Sequence, residues 1–232
     1  MKKKPSKKLK KTNSNDGTIY LIEESINTLN SNVKRLDYVD RYSSIPTVCR
    51  ETVSQHSYWV TLYSALIHKA VSNDDDIMRL VLLKSVTHDI MECVTGDFVR
   101  TFKHSSTDLK SAIDKAEKGM KSLLPLSVRN LMEDAVTGND LIDPYVSDVV
   151  KVADFMSLYH FMTRELERGN REIIPFYKIM VNDLYNARER TSKYSHTKMV
   201  KNHFSGVFPS LYYVHLYRMA KENLEKATCD QD

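Results

Sequence analysis

The sequence predicts an all-α bundle. Six Gly and six Pro in 232 residues leave long stretches free of both, which favours helices over a turn-rich β architecture. Apolar residues recur at helical spacing through most of those stretches, and no convincing strand pair or internal repeat breaks the pattern. An apolar fraction of 41% is enough for one substantial core, so residues 18–232 read as a single domain.

Residues 1–17 read as a disordered Lys-rich tail. MKKKPSKKLKK carries seven Lys and no acid, and its +7 against the whole-chain +4 leaves −3 on the rest. The tail is a candidate for weak, non-specific contact with nucleic acid or another polyanion. No apolar run of signal-peptide length follows the lysines, and none approaches the roughly 18 residues of a membrane span. The three cysteines, at 49, 93 and 229, form no CxxC pair, so reduced thiols and a cytoplasmic setting are expected.

A first helix is expected over about 18–34, from Ile19, Leu21, Ile22, Ile26 and Leu29. An irregular segment around Pro46 follows, then a helix with Ser54 as N-cap. The acids at 74–76 suit the N-terminus of a helix running from about Asp76 to Val94 and stopped by Gly96. Residues 97–104 read as a loop, and helices are expected at about 106–123 and 127–137. The clearest helix has Asp143 as N-cap, Pro144 in the first position and Gly169 at its close. Two more follow, at 171–190 and 207–227, the latter with LYYVHLY as core or dimer face.

Ionisable residues interrupt the apolar faces. Within THDIMECVTGD, His88 and Glu92 are four apart on the expected 76–94 helix, with Asp89 flanking their stripe. Asp154 sits among Val150, Leu158 and Phe161, and His56 shares its side of a helix with Trp59, Val60 and Tyr63. Charges in such places are costly unless paired, and a bound cation is one partner; a helix cap, or for a carboxylate an Arg, is another. As a set, His56, His88, Asp89 and Asp154 suit one divalent transition metal, Mn, Fe, Co, Ni or Zn, better than Ca or Mg. Cys93 reads as a small buried filler. His68, His160 and His215 read as packing or surface residues, while His104 and His196 could approach a substrate.

Three separated motifs resemble the HD-domain phosphohydrolases, and within them the YfbR-like 5′-deoxynucleotidases. RETVSQHS around His56 resembles the family's first His segment. HDIMECVTGD matches its HD-x-x-E-x-x-TGD run in register, and KVADFMSLYHFMTRELERGN resembles its K-x-A-D segment through to Gly-Asn. The resemblance covers about residues 35–215. It implies a helical HD bundle with one divalent ion on His56, His88, Asp89 and Asp154. It also implies Glu92 and Asp97 as candidate catalytic residues, Glu92 beside the attacking water and Asp97 toward the sugar. Arg41 corresponds to an Arg that reaches the substrate phosphate. Tyr42 follows it where the family usually has a Trp that helps exclude a ribose 2′-hydroxyl. A homodimer is also implied.

The resemblance leaves the substrate open between a deoxynucleoside monophosphate and a triphosphate. DFVRTFKH replaces the PTP-type loop of the 5′-deoxynucleotidases and brings Arg100 and Lys103, cations that a longer anionic tail could use. The monophosphate is the first expectation, because the flanking motifs match it best. A nucleotide-binding HD module without turnover is the third reading, and an intact Glu92 argues against it.

Overall fold

Helix α1, Val53–Val71, begins one residue after Thr52, not at Ser54 as expected. Thr52 and Gln55 form a capping box: Thr52 Oγ1 accepts from the Gln55 backbone N–H, and Gln55 Oε1 accepts from that of Thr52. Two otherwise orphaned donors are satisfied this way, so a box two residues upstream wins over a lone Ser. The computed structural model describes residues 32–97, 106–192 and 208–229, with Ile19, Tyr20, Glu23, Ile26 and Asn27 in helical conformation ahead of them. The Lys-rich tail and most of the helix expected over 18–34 lie outside the described residues.

The expected 76–94 helix is two helices. Helix α2 is Asp75–Thr87, capped by Asp74, whose Oδ1 accepts from the Ile77 N–H. Near its end, side chains take up backbone carbonyls: Thr87 Oγ1 donates to Leu83 O, and His88 Nδ1 donates to Ser85 O. Ser85 O would serve the Asp89 N–H in a continuing helix, so this competition ends α2. The chain then tightens into i→i+3 turns, Ile90 N–H to Thr87 O and Glu92 N–H to Asp89 O, before the short α3, Glu92–Thr95. Gly96 at φ +75° closes it, in a backbone region that favours Gly.

Helices α4 (Thr107–Met120), α5 (Leu126–Asp134), α6 (Ile142–Glu167), α7 (Ile174–Ser192) and α8 (Ser210–Cys229) complete the described fold. Among the described residues no strand forms beyond an isolated antiparallel bridge between Asp40 and Thr52. Asp143 is not the N-cap of α6; it lies in the first turn and accepts from Thr137 N, Thr137 Oγ1 and Gly138 N. A carboxylate that can serve three donors in the preceding loop satisfies more groups there than at the cap. Gly169, at φ +80°, ends α6 as expected.

Helix α6 is the centre of the bundle. It packs against α1, α2 and α8, while α7 pairs with α8. Val149, Val152, Ala153 and Phe155 on it are fully or almost fully buried. Each buried Val or Phe contributes about 1.5–3 kcal/mol. His68 locks α1 to this frame, with its ring nitrogens on Tyr145 Oη and Asp74 O, so it is a packing residue. Leu36, Val53, Ile90, Cys93, Leu124 and Val128 form a smaller cluster around the 88–95 turn, with Cys93 as the expected filler. Within LYYVHLY, Tyr213 and Leu216 are core, whereas Leu211 and Val214 are exposed.

Candidate metal centre

Helix α1, the turn after α2 and α6 each bring ionisable groups to one place. His56 comes from the first turn and a half of α1, His88 and Asp89 from the tight turn after α2, and Asp154 from the middle of α6. His56, His88 and Asp154 offer ligand atoms that all lie within 4.8 Å of one another. The two imidazole Nε2 atoms are 3.4 Å apart. Asp89 Oδ2 lies 3.1 Å from His88 Nε2 and 3.5 Å from His56 Nε2, and Asp154 Oδ1 lies 3.4 Å from His56 Nε2. Three of the four predicted ligands, His56, His88 and Asp154, thus share one point, and Asp89 adjoins it through both histidines; no single helix face brings them together.

Both histidines are oriented from behind. His56 Nδ1 is 2.9 Å from Ser157 Oγ, and His88 Nδ1 is 2.6 Å from Ser85 O. A carbonyl only accepts, so His88 carries a proton on Nδ1, and Nε2 is the nitrogen left facing inward. Ser157 can hold His56 in the same tautomer, an arrangement common behind metal-ligating histidines.

The charges around the four residues favour a cation between them. Burial and the Arg41 cation push His56 down to about 4, against the pull of Asp154 and Asp89, so its imidazole is neutral at pH 7. Burial also opposes a charge on His88, but Asp89 overcomes this and raises it. Burial favours a protonated Asp89, yet His88 and Arg41 hold it down at about 2. Lys151, His56 and Arg41 likewise keep Asp154 well below the usual carboxylate range despite burial. Two ionised carboxylates facing two inward nitrogens match the donor set of a divalent transition metal.

Arg41 stands beside this cluster, with Nη1 3.5 Å from Asp89 Oδ2. Its Nε and Nη1 are buried without a hydrogen-bond acceptor among the described residues. Tyr42 adopts φ +60°, a costly conformation for an aromatic residue. Its N–H donates to Asp97 Oδ2 at 3.1 Å, and its ring stacks on Phe161 with centroids 4.5 Å apart. Asp97 thus fixes the turn that carries Arg41 and Tyr42. Glu92 opens α3. Arg100, Lys103, His104 and His196 lie outside the described residues. His160 and His215 are on the surface, as expected.

Sequence reasoning gave no role to Ser157, Lys151 or Glu51. Ser157 is one helical turn from Asp154, and that spacing could have found it. Lys151 bonds Asp154 Oδ2. Glu51, buried near Arg41, has no such periodic signal; it borders a cavity of about 290 Å³ between α1 and α6, with Tyr63, Ser157 and Phe161.

Residues 29–203 match the family described as 5′-deoxynucleotidase YfbR-like. The chain belongs to this family. Among curated relatives, it is similar to the 4′-phosphooxetanocin A phosphatase of Priestia megaterium, 24% identical over 184 residues that span 76% of this chain and 91% of that protein. It is also similar to a 5′-deoxynucleotidase of Photorhabdus temperata, 29% identical over 150 residues, 61% of this chain and 75% of the relative. Two solved structures share the fold. An HD-domain phosphohydrolase from Listeria innocua has a TM-score of 0.55 at 19% identity, covering 87% of this chain and 98% of that one. The cyanophage S-2L HD phosphohydrolase DatZ, bound to dA and one catalytic Zn²⁺, has a TM-score of 0.51 at 15% identity, covering 84% and 95%. The all-α HD bundle of the YfbR-like family is therefore the fold of this chain, and no helix among its described residues is long and apolar enough to cross a membrane.

Proposed function

We propose that this YfbR-like protein is a metal-dependent 5′-deoxynucleotidase, converting a 2′-deoxynucleoside monophosphate and water to the deoxynucleoside and phosphate. The observation that carries the reading is the convergence of His56, His88, Asp89 and Asp154 beside the buried guanidinium of Arg41. When bound by these four residues, a divalent ion supplies Lewis acidity toward water and a phosphoryl oxygen. The ion is one of Co, Mn, Zn, Fe or Ni, and DatZ, on the same fold, holds Zn²⁺.

Arg41, whose Nε and Nη1 have no hydrogen-bond acceptor among the described residues, meets the phosphate oxygens with its planar guanidinium, a group suited to bidentate contact with them. Because the guanidinium is already buried and oriented, it stabilises phosphoryl charge without reorganising. Ser157 and the Ser85 carbonyl keep the imidazole Nε2 atoms aimed inward. Glu92 orients the attacking water and passes a proton to the leaving sugar oxygen. Asp97, through the Tyr42 N–H, holds the turn that meets the sugar, and Tyr42 crowds the 2′ position in place of Trp.

The Glu92→Ala protein tests the catalytic assignment. It should bind deoxynucleotide and lose turnover by at least about a hundredfold, as expected for a proton-transfer group. Unchanged turnover contradicts the role given to Glu92. Triphosphate substrates are the second reading, favoured by the cations Arg100 and Lys103 after the TGD motif. A homodimer fits the exposed apolar side chains Tyr58, Trp59, Leu62 and Leu66 along α1. The Lys-rich tail is proposed to make a separate, salt-sensitive contact with polyanions, which deletion of residues 1–11 should abolish while sparing activity.

A further inference from the structure

Residues 41–50 carry Arg41 and join the Asp40–Thr52 bridge to itself. The Arg41 N–H donates to Glu51 O, and the Ile45 N–H closes a turn onto Tyr42 O. Tyr42 is held at φ +60°. A bulky residue stays in that region only where the surroundings over-determine it. The near end of the segment is fixed by Asp97 on the Tyr42 N–H.

The far end is fixed by α6. Glu165 is fully buried there, more than one hundred residues away in sequence. Its Oε1 accepts from the Cys49 N–H at 2.7 Å, and its Oε2 from the Val48 N–H at 2.7 Å. Oε2 also accepts from Asn170 Nδ2 at 2.6 Å, and that amide donates to Pro46 O at 2.9 Å. Arg168 Nη1 lies 2.8 Å from Cys49 Sγ. The same helix supplies Phe161, on which Tyr42 stacks, and the candidate metal ligand Asp154. One rigid element thus references both the metal cluster and the segment that bears Arg41.

We infer that Glu165, with Asn170, is a positioning residue for substrate: it sets the distance between the Arg41 guanidinium and the metal cluster by anchoring residues 46–49 to α6. The inference rests on Arg41 as the phosphate-binding group. Glu165 touches none of the reacting groups. It acts through the strained turn, which relaxes when the far anchor is released. Misplacement of a substrate-orienting group by about 1 Å lowers rates by up to about a hundredfold.

The test combines Glu165→Gln with Arg41→Ala. Gln keeps the shape but has one acceptor oxygen for the donors that two oxygens now serve, so one anchor is lost. Glu165→Gln alone should lower kcat/KM for a deoxynucleoside monophosphate by about ten- to hundredfold. Metal affinity, by titration with Mn²⁺, should stay within about twofold, because the ligand-bearing parts of α1 and α6 and the turn after α2 are untouched. In an Arg41→Ala background the same change should cost less than about twofold, since Glu165 then has nothing left to position. An equal loss in both backgrounds, or a parallel loss of Mn²⁺ affinity, overturns the inference and assigns Glu165 to general folding. If Arg41→Ala alone leaves kcat/KM unchanged, the phosphate-binding reading fails, and the inference with it. Asn170→Ala, which removes one donor to Glu165 and the bond to Pro46, should show the same non-additive pattern at smaller size should Glu165→Gln fail to fold.

Discussion

Ser157→Ala isolates the support behind one metal ligand. Ser157 Oγ lies 2.9 Å from His56 Nδ1, and both residues are buried. Removing the hydroxyl leaves the ring N–H without its acceptor, which costs about 1–3 kcal/mol in a closed site. Ser157 also borders the 290 Å³ cavity, so water can take the vacated place. The expected loss is therefore near the low end, about 1 kcal/mol, or about 2–4 °C in Tm for a chain of this size. The larger effect should fall on the metal. Without the hydroxyl the imidazole is free to change tautomer and tilt, and loss of such support typically weakens binding by about ten- to hundredfold. Water replacement again favours the tenfold end. Titration with Mn²⁺ followed by calorimetry measures this, with Ser85→Ala as control. Ser85 holds His88 through its backbone carbonyl, so that substitution should leave affinity unchanged. A Ser157→Ala protein that binds Mn²⁺ within twofold of wild type, or a Ser85→Ala protein that loses as much, refutes the reasoning.

Other consequences follow from the same geometry. Mn²⁺ or Co²⁺ at a hundred times its Kd should stabilise the protein by about 2.7 kcal/mol, raising Tm by about 5–11 °C, and His56→Ala should lose most of that rise. An equal rise in the His56→Ala protein means the ion binds elsewhere. Tyr42 Oη is buried without a hydrogen-bond partner among the described residues, so Tyr42→Phe should leave Tm unchanged or slightly higher; a clear fall shows that the hydroxyl is held. Burial pushes the Glu165 carboxyl up, but the hydrogen bonds it accepts win and lower it below the ordinary 4.5. A carboxyl lowered on folding stabilises fully above its unfolded value, and that contribution is lost as pH falls through the folded one. Wild type should therefore lose more stability than Glu165→Gln on acidification below about pH 4.5, and parallel acid-denaturation curves contradict this.

The architecture was legible because periodicity and end signals agree over long helices. Gly169 stops α6 where expected, and the acids at 74–76 open α2. Boundaries failed where side chains compete for backbone groups. Thr52 with Gln55 outbids Ser54, Asp143 turns back to Thr137 and Gly138, and His88 takes the carbonyl that would have continued α2. That last failure matters for the site. The HD pair stands out in the motif, but its geometry comes from a tight turn, not from a four-residue helical repeat. Ser157 and Lys151 were within reach of helical spacing from Asp154. Glu165 was not, because its partners at Val48 and Cys49 are backbone donors more than one hundred residues away, and a sequence carries no pattern for such a contact.

The central claim, a metal-dependent 5′-deoxynucleotidase, is tested most directly by product analysis. The protein is incubated with Co²⁺ or Mn²⁺ and a panel of deoxynucleoside monophosphates, triphosphates and matching ribonucleotides, and the products are separated by chromatography. Deoxynucleoside and inorganic phosphate from the monophosphates, lost on chelation of the metal, is the predicted result. Triphosphate released from deoxynucleoside triphosphates, with the monophosphates untouched, contradicts it and gives the charged sequence after Asp97 the leading role.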